Sequence, residues 1–526
     1  MRSARNRRDF LVGAANTVAT CALSSSAALA EKGTNVMATS ELDYRTARDL
    51  AGLLAARKVS AVELLERAIA RIEARDGKVN AVVVRDFDRA HQAAKAADAA
   101  LAKGERKPLL GIPMTVKESY NIAGLPTTWG YPAAKDFRPQ EDALSISRVK
   151  AAGAVILGKS NVPISLADWQ SYNDIYGVTN NPWDLGRTPG GSSGGSSASL
   201  AAGYVPLELG SDIGGSLRVP AHYCGVYAHK PTLGLVPARG QTPPNVPALP
   251  FENDLSVIGP MSRSAADLSL LLEVIAGPDE QSNGVGYRLA LPPPRHESLR
   301  GCRVLVIDTH PLIPTANSVR TALGRLADGV AKAGAKVARE SALLPDLTES
   351  SRIYALLLWS RLAAFWPADV YARMQDAAKA LAPGDNSPNA WQTRGAVLSH
   401  REWLATDNAR FGLRARWREL FREFDVVLAP PMPTPAYPHD HSPDQRQRRI
   451  DIDGKLYPYL DQIFWPGLAT VAGLPATAAP IGRSETGLPI GVQIIGPFLE
   501  DRTTLRFAEL IEREFGGFVP PPGFAG

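Results

Sequence analysis

Cysteine is scarce, with three in 526 residues. Cys21 falls near the N-terminus, so only Cys224 and Cys302 remain for the body of the chain. No disulfide framework can be read from two residues, although one bridge between them is possible. Excess charge of one sign is also missing. Of the net +5, the first 30 residues hold +3, from Arg2, Arg5, Arg7 and Arg8 against Asp9. A remainder of about +2 makes nucleic acid an unexpected partner. The run Arg446, Arg448, Arg449 sits in a polar, proline-flanked loop and reads as a solvated face. No segment approaches the ~20 continuous apolar residues of a membrane span, and no internal repeat is present.

What is there begins with a basic leader. Arg7-Arg8-Asp9-Phe10-Leu11 precedes a weakly apolar run through Leu23, and Ala28-Leu29-Ala30 precedes Glu31. These features describe an export signal over residues 1–30. They resemble a bacterial twin-arginine signal, which implies a periplasmic or secreted protein with no membrane attachment after cleavage. The competing reading is a cytoplasmic protein starting at Met37.

Beyond the leader, helical and strand patterns alternate. Leu50, Leu53 and Leu54 mark one amphipathic helix. Val62, Leu64, Leu65, Ala68, Ile69 and Ile72 mark a second, with Ser60 and Glu63 as a capping box. A short strand at 81–84, an Ala-rich helix at 88–103 and a strand at 110–116 ending at Lys117 follow. Residues 143–152 read as helix and 154–157 as strand. Strand 303–307 and a helix near 317–333 come after a polar connector at 277–300. Residues 352–425 are mostly helical, and 466–496 carry strand-and-turn texture. The alternation predicts an α/β layered fold. Residues 31–526 are expected to form a single domain, with about 300–445 as a helical cover over the substrate pocket.

Two motifs mislead. Gly153 to Ser160 satisfies the phosphate-loop pattern G-x-x-x-x-G-K-S. A phosphate loop needs its strand before the first glycine. Here the preceding residues are helical, and Ala154–Leu157 are the strand. Ser193 centres a G-x-S-x-G match, but Trp183–Pro189 makes a poor strand for a nucleophile elbow.

The stronger signal is a pair of Gly/Ser segments, Pro189–Ala198 and Gly210–Arg218. Ala198–Ala202 reads as helix and Val205–Leu209 as strand, so this is no flexible linker. Glycine runs let backbone N–H groups converge on a ligand. The N–H groups of Ile213, Gly214, Gly215 and Ser216 are placed to do so, as an oxyanion hole requires. A serine nucleophile also needs a base. No histidine lies inside these segments. His222 and His229 stand just downstream and leave a Ser-His-acid triad open, although structural roles are the expectation for both.

These segments, with Gly111–Glu118, His229-Lys230-Pro231-Thr232, Gly259-Pro260-Met261 and Gly487–Gln493, closely resemble the amidase signature family. Lys117, Ser192 and Ser216 stand 75 and 24 positions apart, as in typical members. The resemblance runs from about Glu41 to Leu510. It implies an α/β/α fold around a mixed central sheet, with amide hydrolysis through acyl-Ser216. Lys117 would be the base and Ser192 the bridging serine, held on a cis Gly191–Ser192 bond. No metal or organic cofactor is needed. Leu166 matches a pocket-lining position, and Ile164 and Ser165 depart from the acidic version of that segment. Leu166, Trp169 and Tyr172 point to an apolar or aryl acyl pocket. Gly191, Ser193, Asp212 and Arg218 are expected in support, with Asp212 bonding backbone amides and Arg218 pairing with an acid. Glu118 is expected to be structural. A small-molecule amide is the expected partner, and oligomers are possible. The rival readings are one component of an amidotransferase that makes glutaminyl-tRNA and a non-enzymatic periplasmic binding protein.

If residues 1–30 are a twin-arginine leader, Arg7→Lys with Arg8→Lys should hold the precursor in the cytoplasm, and the exported wild-type chain should begin near Glu31. Fractionation with N-terminal sequencing decides this; uncleaved chain found only in the cytosol would revive Met37.

Overall fold

The computed structural model describes residues 42–525. The expected leader and Met37 lie outside the described residues. The described residues fall within one compact unit. Its strands are β1 (Val82–Arg85), β2 (Pro113–Lys117), β3 (Val155–Ser160), β4 (Tyr172–Asn173), β5 (Gly177–Val178), β6 (Leu207–Asp212), β7 (Tyr227–Lys230) and β8 (Val257–Ser262). They continue as β9 (Arg303–Val306), β10 (Lys336–Ala338), β11 (Val426–Ala429), β12 (Arg449–Ile452), β13 (Lys455–Pro458), β14 (Ala476–Arg483) and β15 (Pro489–Ile495). Eleven form one sheet in the order β1-β3-β2-β6-β8-β7-β14-β15-β11-β9-β10. The pairs β3–β2, β2–β6, β11–β9 and β9–β10 are parallel. The rest are antiparallel, which makes the sheet mixed, as expected.

Central strands are buried along their whole length, as strands covered by helices on both faces must be. The helix Ala61–Val79 shows why such cover forms. Ser60 and Glu63 close a capping box, Leu64, Leu65, Ala68, Ile69 and Ile72 share the buried face, and Asn80 ends the helix in a left-handed conformation. The region 347–423 is helical, with segments Leu347–Ala363, Ala368–Ala380, Pro388–Gly395 and His400–Glu423. Leu347–Ala363 contributes Tyr354 and Trp359 to a second apolar core that also holds Trp417 and Trp465. No helix among the described residues is long and apolar enough to cross a membrane.

The strand expected at 154–157 runs over Val155–Ser160, so the phosphate-loop pattern has no loop in it, as expected. Lys159 is buried there, bonding the Thr127 hydroxyl at 2.8 Å and the Pro126 carbonyl, and burial lowers its pKa to about 8. Two other local expectations shift. The helix after Ser192 starts at Gly194 rather than Ala198. A Cβ at Gly195 would overlap the Asn161 backbone, so this turn packs too closely for any side chain. Phe464–Val471 is a helix despite Pro466 and Gly467. Proline in a first helical turn removes an N–H that has no intrahelical acceptor anyway. Cys224 and Cys302 are both free and buried, so the possible bridge is not made.

Candidate active site

Lys117 ends β2, an interior strand of the sheet flanked by β3 and β6. Its side chain is 0% exposed. The amine lies 2.6 Å from the Ser192 hydroxyl and 3.0 Å from the Ser211 hydroxyl. Burial lowers its pKa to about 7, with the Asp212 charge opposing the shift. Ser192 follows a cis Gly191–Ser192 peptide bond, as the resemblance implied. Ser193 ties the two Gly/Ser segments together. Its N–H donates to the Ser216 carbonyl at 3.3 Å and its hydroxyl to the Ser211 carbonyl at 3.4 Å.

Asp212, at the end of β6, organises the turn that follows. Its carboxylate accepts from the N–H groups of Gly215 (2.9 Å) and Leu217 (3.1 Å) and from two nitrogens of Arg218 (3.0 and 2.9 Å). Arg218 also reaches the carbonyl of Pro466, Gln493 Oε1 and the Thr470 hydroxyl, which occupies its whole donor fork. Both partners of this pair are fully buried. Burial alone would raise the Asp212 carboxyl, but the Arg218 charge and the bonds around it hold it below its ordinary value.

The peptide planes of the turn are fixed one by one. The Ile213 carbonyl accepts from the Tyr354 hydroxyl at 2.7 Å, and the Gly214 carbonyl accepts from Trp169 Nε1 at 2.8 Å. The Gly215 carbonyl accepts from the Val219 N–H at 2.7 Å. In a trans peptide the N–H points opposite its carbonyl, so the N–H groups of Gly214 and Ser216 are aimed away from these partners. Among the described residues the N–H groups of Ile213, Gly214 and Ser216 meet no acceptor. Gly215 departs from the expectation. Its N–H is consumed by Asp212, so it shapes the turn and is no oxyanion donor.

Ser192, Ser211, Ser216 and Gln241 open on one cavity of about 1030 Å³. Its wall is mostly apolar and includes Trp129, Ile164, Leu166, Tyr172, Phe251 and Phe365. Leu166 carries a left-handed backbone (φ 57°), uncommon for a bulky residue and typical of positions held by their surroundings at binding sites. Trp169 does not line the cavity. It is buried in the core and acts through its bond to Gly214. The remaining titratable neighbours are engaged elsewhere. His222 accepts from the Gly491 N–H at 2.7 Å and pairs with the Thr434 carbonyl at 2.9 Å, and burial lowers its pKa to about 4. His229 bonds Thr477 and Asp501. Glu118 accepts from the N–H groups of Thr128 and Trp129. Ser211, Gln241, Tyr354 and Thr470 are the site residues that the sequence reading missed.

A buried lysine, hydroxyls within its reach and unpaired N–H groups at one cavity define a site built for acyl transfer. The chain belongs to the amidase family, whose model, described as Amidase, matches residues 63–505. It is 34% identical over 497 residues to one component of the glutamyl-tRNA(Gln) amidotransferase of Anaeromyxobacter dehalogenans (strain 2CP-C), covering 90% of this chain and 97% of that one. It is 33% identical over 483 residues to an indoleacetamide hydrolase of Bradyrhizobium diazoefficiens, covering 90% and 86%. A solved structure from work on the evolutionary origins of an s-triazine catabolic enzyme, with an inhibitor bound, superposes with a TM-score of 0.75 at 30% identity, covering 89% and 98%.

Arg218→Met should cost about 3–5 kcal/mol of stability, because it leaves Asp212 charged and unpaired in the interior. Denaturant titration measures this; an unchanged midpoint would show that the pair does not hold the turn.

Proposed function

We propose that the protein hydrolyses neutral carboxylic amides, R–CO–NH–R′, to an acid and an amine through an acyl-Ser216 intermediate. The observation that carries this reading is the Lys117 amine, fully buried, depressed to about 7 and 2.6 Å from Ser192 on the cavity that exposes Ser216. Neutral Lys117 takes the Ser192 proton, and Ser192 takes the Ser216 proton as Ser216 Oγ bonds to the carbonyl carbon. The N–H groups of Ile213, Gly214 and Ser216 hold the oxyanion. When the tetrahedral adduct collapses, the C–N bond breaks and the proton returns through Ser192 to the leaving nitrogen. Water then attacks the acyl ester, losing its proton by the same relay, and frees Ser216.

The cavity wall supports a neutral, apolar substrate. Its charged residues are engaged: Asp168 with Arg448 and the Tyr459 hydroxyl, and Arg361 with Asn253. With Asp168 paired, no lining carboxylate is left free to hold the α-amino group of an amino-acid amide, which favours an aryl or alkyl amide over glutamine as substrate. The leader read at residues 1–30 supports action in the periplasm or outside the cell.

Ser216→Ala should reduce hydrolysis to background, and Ser192→Ala should leave a slow residual rate. Lys117→Ala should lose ~10²–10⁴ in rate, the usual worth of a general base. Because the unprotonated amine is the working form, the wild-type rate should rise with pH through about 7 and then level. The Lys117→Ala enzyme should lack that inflection and recover partly as hydroxide accumulates. A folded Lys117→Ala enzyme with near-normal rate at neutral pH would defeat the mechanism.

A further inference from the structure

Gln241 lies in the segment after β7, 3% exposed and on the cavity wall. Its backbone is held by its own N–H to the Ala238 carbonyl at 2.9 Å, and the neighbouring Gly240 carbonyl accepts from Asn121 at 2.9 Å. Nε2 donates to the Ser119 hydroxyl at 3.2 Å and to the Ser211 hydroxyl at 3.3 Å. Ser211 in turn receives the Lys117 amine at 3.0 Å. Both N–H bonds of the side-chain amide are therefore committed, and a planar amide held at two points has a fixed carbonyl direction. Oε1 receives no hydrogen bond from the described residues, yet it is not among the sealed polar atoms of the interior. The space left to it is the cavity.

We propose that Gln241 is a specificity-determining residue whose Oε1 accepts the N–H of the scissile amide. The proposal rests on Ser216 as nucleophile. A bound amide that gives its carbonyl oxygen to the N–H groups of Ile213, Gly214 and Ser216 turns its N–H the other way, and a desolvated N–H needs an acceptor. An acceptor there also sets the direction of the leaving nitrogen's lone pair, which must face Ser192 to take the proton. An ester offers no N–H and sets a lone pair against Oε1. Gln241 thus favours amides over esters of the same acid, and amides bearing an N–H over fully substituted ones.

The test compares kcat/KM for phenylacetamide and methyl phenylacetate in the wild type, Gln241→Met and Gln241→Glu, each on its pH plateau. Met fills the volume without an acceptor, and Glu keeps one. Gln241→Met should lose about tenfold more on the amide than on the ester, the worth of one hydrogen bond. Gln241→Glu, which keeps an acceptor but lacks the two N–H groups that aim it, should retain more of the amide preference than Gln241→Met. Equal losses on both substrates, or no loss, would overturn the proposal by reducing Gln241 to a structural part. Should Gln241→Met fail to melt cooperatively, the wild type decides. Phenylacetamide should inhibit ester hydrolysis about tenfold more strongly than its N,N-dimethyl form, and equal inhibition would overturn the assignment. Ser216→Ala separates the two readings, since hydrolysis of both substrates by that variant would reject the nucleophile rather than Gln241.

Discussion

A lysine side chain is enclosed at the end of a central strand, and the rest of the site is arranged around the consequence. An ammonium in the interior forfeits its hydration, an effective penalty of several kcal/mol. Lys117 therefore gives up its proton near pH 7 rather than above 10. The Asp212 carboxylate opposes this, since a nearby negative charge favours the protonated amine. Arg218 answers that charge with two of its nitrogens at about 3 Å. The buried ion pair thus serves two ends: it organises a turn, and it turns the Asp212 charge toward Arg218 rather than toward the amine. A second acid beneath the site follows the same rule. Glu208 on β6 bonds the Thr115 hydroxyl and has its pKa raised by burial to about 8, so it is largely neutral where Lys117 is becoming so.

The turn after β6 shows how donors are allotted. The carbonyls of Ile213, Gly214 and Ser216 each take a donor from a distant part of the chain, Tyr354, Trp169 and Ser193, and that of Gly215 takes the local Val219 N–H. Two N–H groups go to Asp212 and three face no acceptor among the described residues. Unpaired donors in a nearly closed site cost free energy unless a ligand or water meets them. That cost is recovered when charge develops on a substrate oxygen, so donors set in advance favour the charged adduct over the neutral ground state.

Much of this was legible because the signals are local. A capping box, a stripe of leucines and isoleucines and a run such as Val304-Leu305-Val306 report on their own segment, and the helix Ala61–Val79 and strand β9 stand where those patterns put them. The segments bearing Lys117, Ser192 and Ser216 were found by resemblance, and the fold brings the Lys117 amine onto Ser192 and opens Ser192 and Ser216 on one cavity. What was hidden depends on distant contacts. Gly215 reads as an oxyanion donor until Asp212 is seen to take its N–H. Trp169 reads as a pocket aromatic until its indole is found on the Gly214 carbonyl. Gln241 has no motif, and only the approach of its segment to Ser119 and Ser211 gives it a place. The helix at Gly194 defies propensity because close packing against Asn161 and Ser171 decides there.

The most direct measurement is covalent trapping with a fluorophosphonate, followed by peptide mapping and by the rate of labelling against pH. Label should appear on Ser216 alone, at a rate that rises through about pH 7, and labelling should slow sharply in Lys117→Met. Label on another residue, or on Ser216 at a rate indifferent to both pH and Lys117, would contradict a neutral buried lysine acting on this serine.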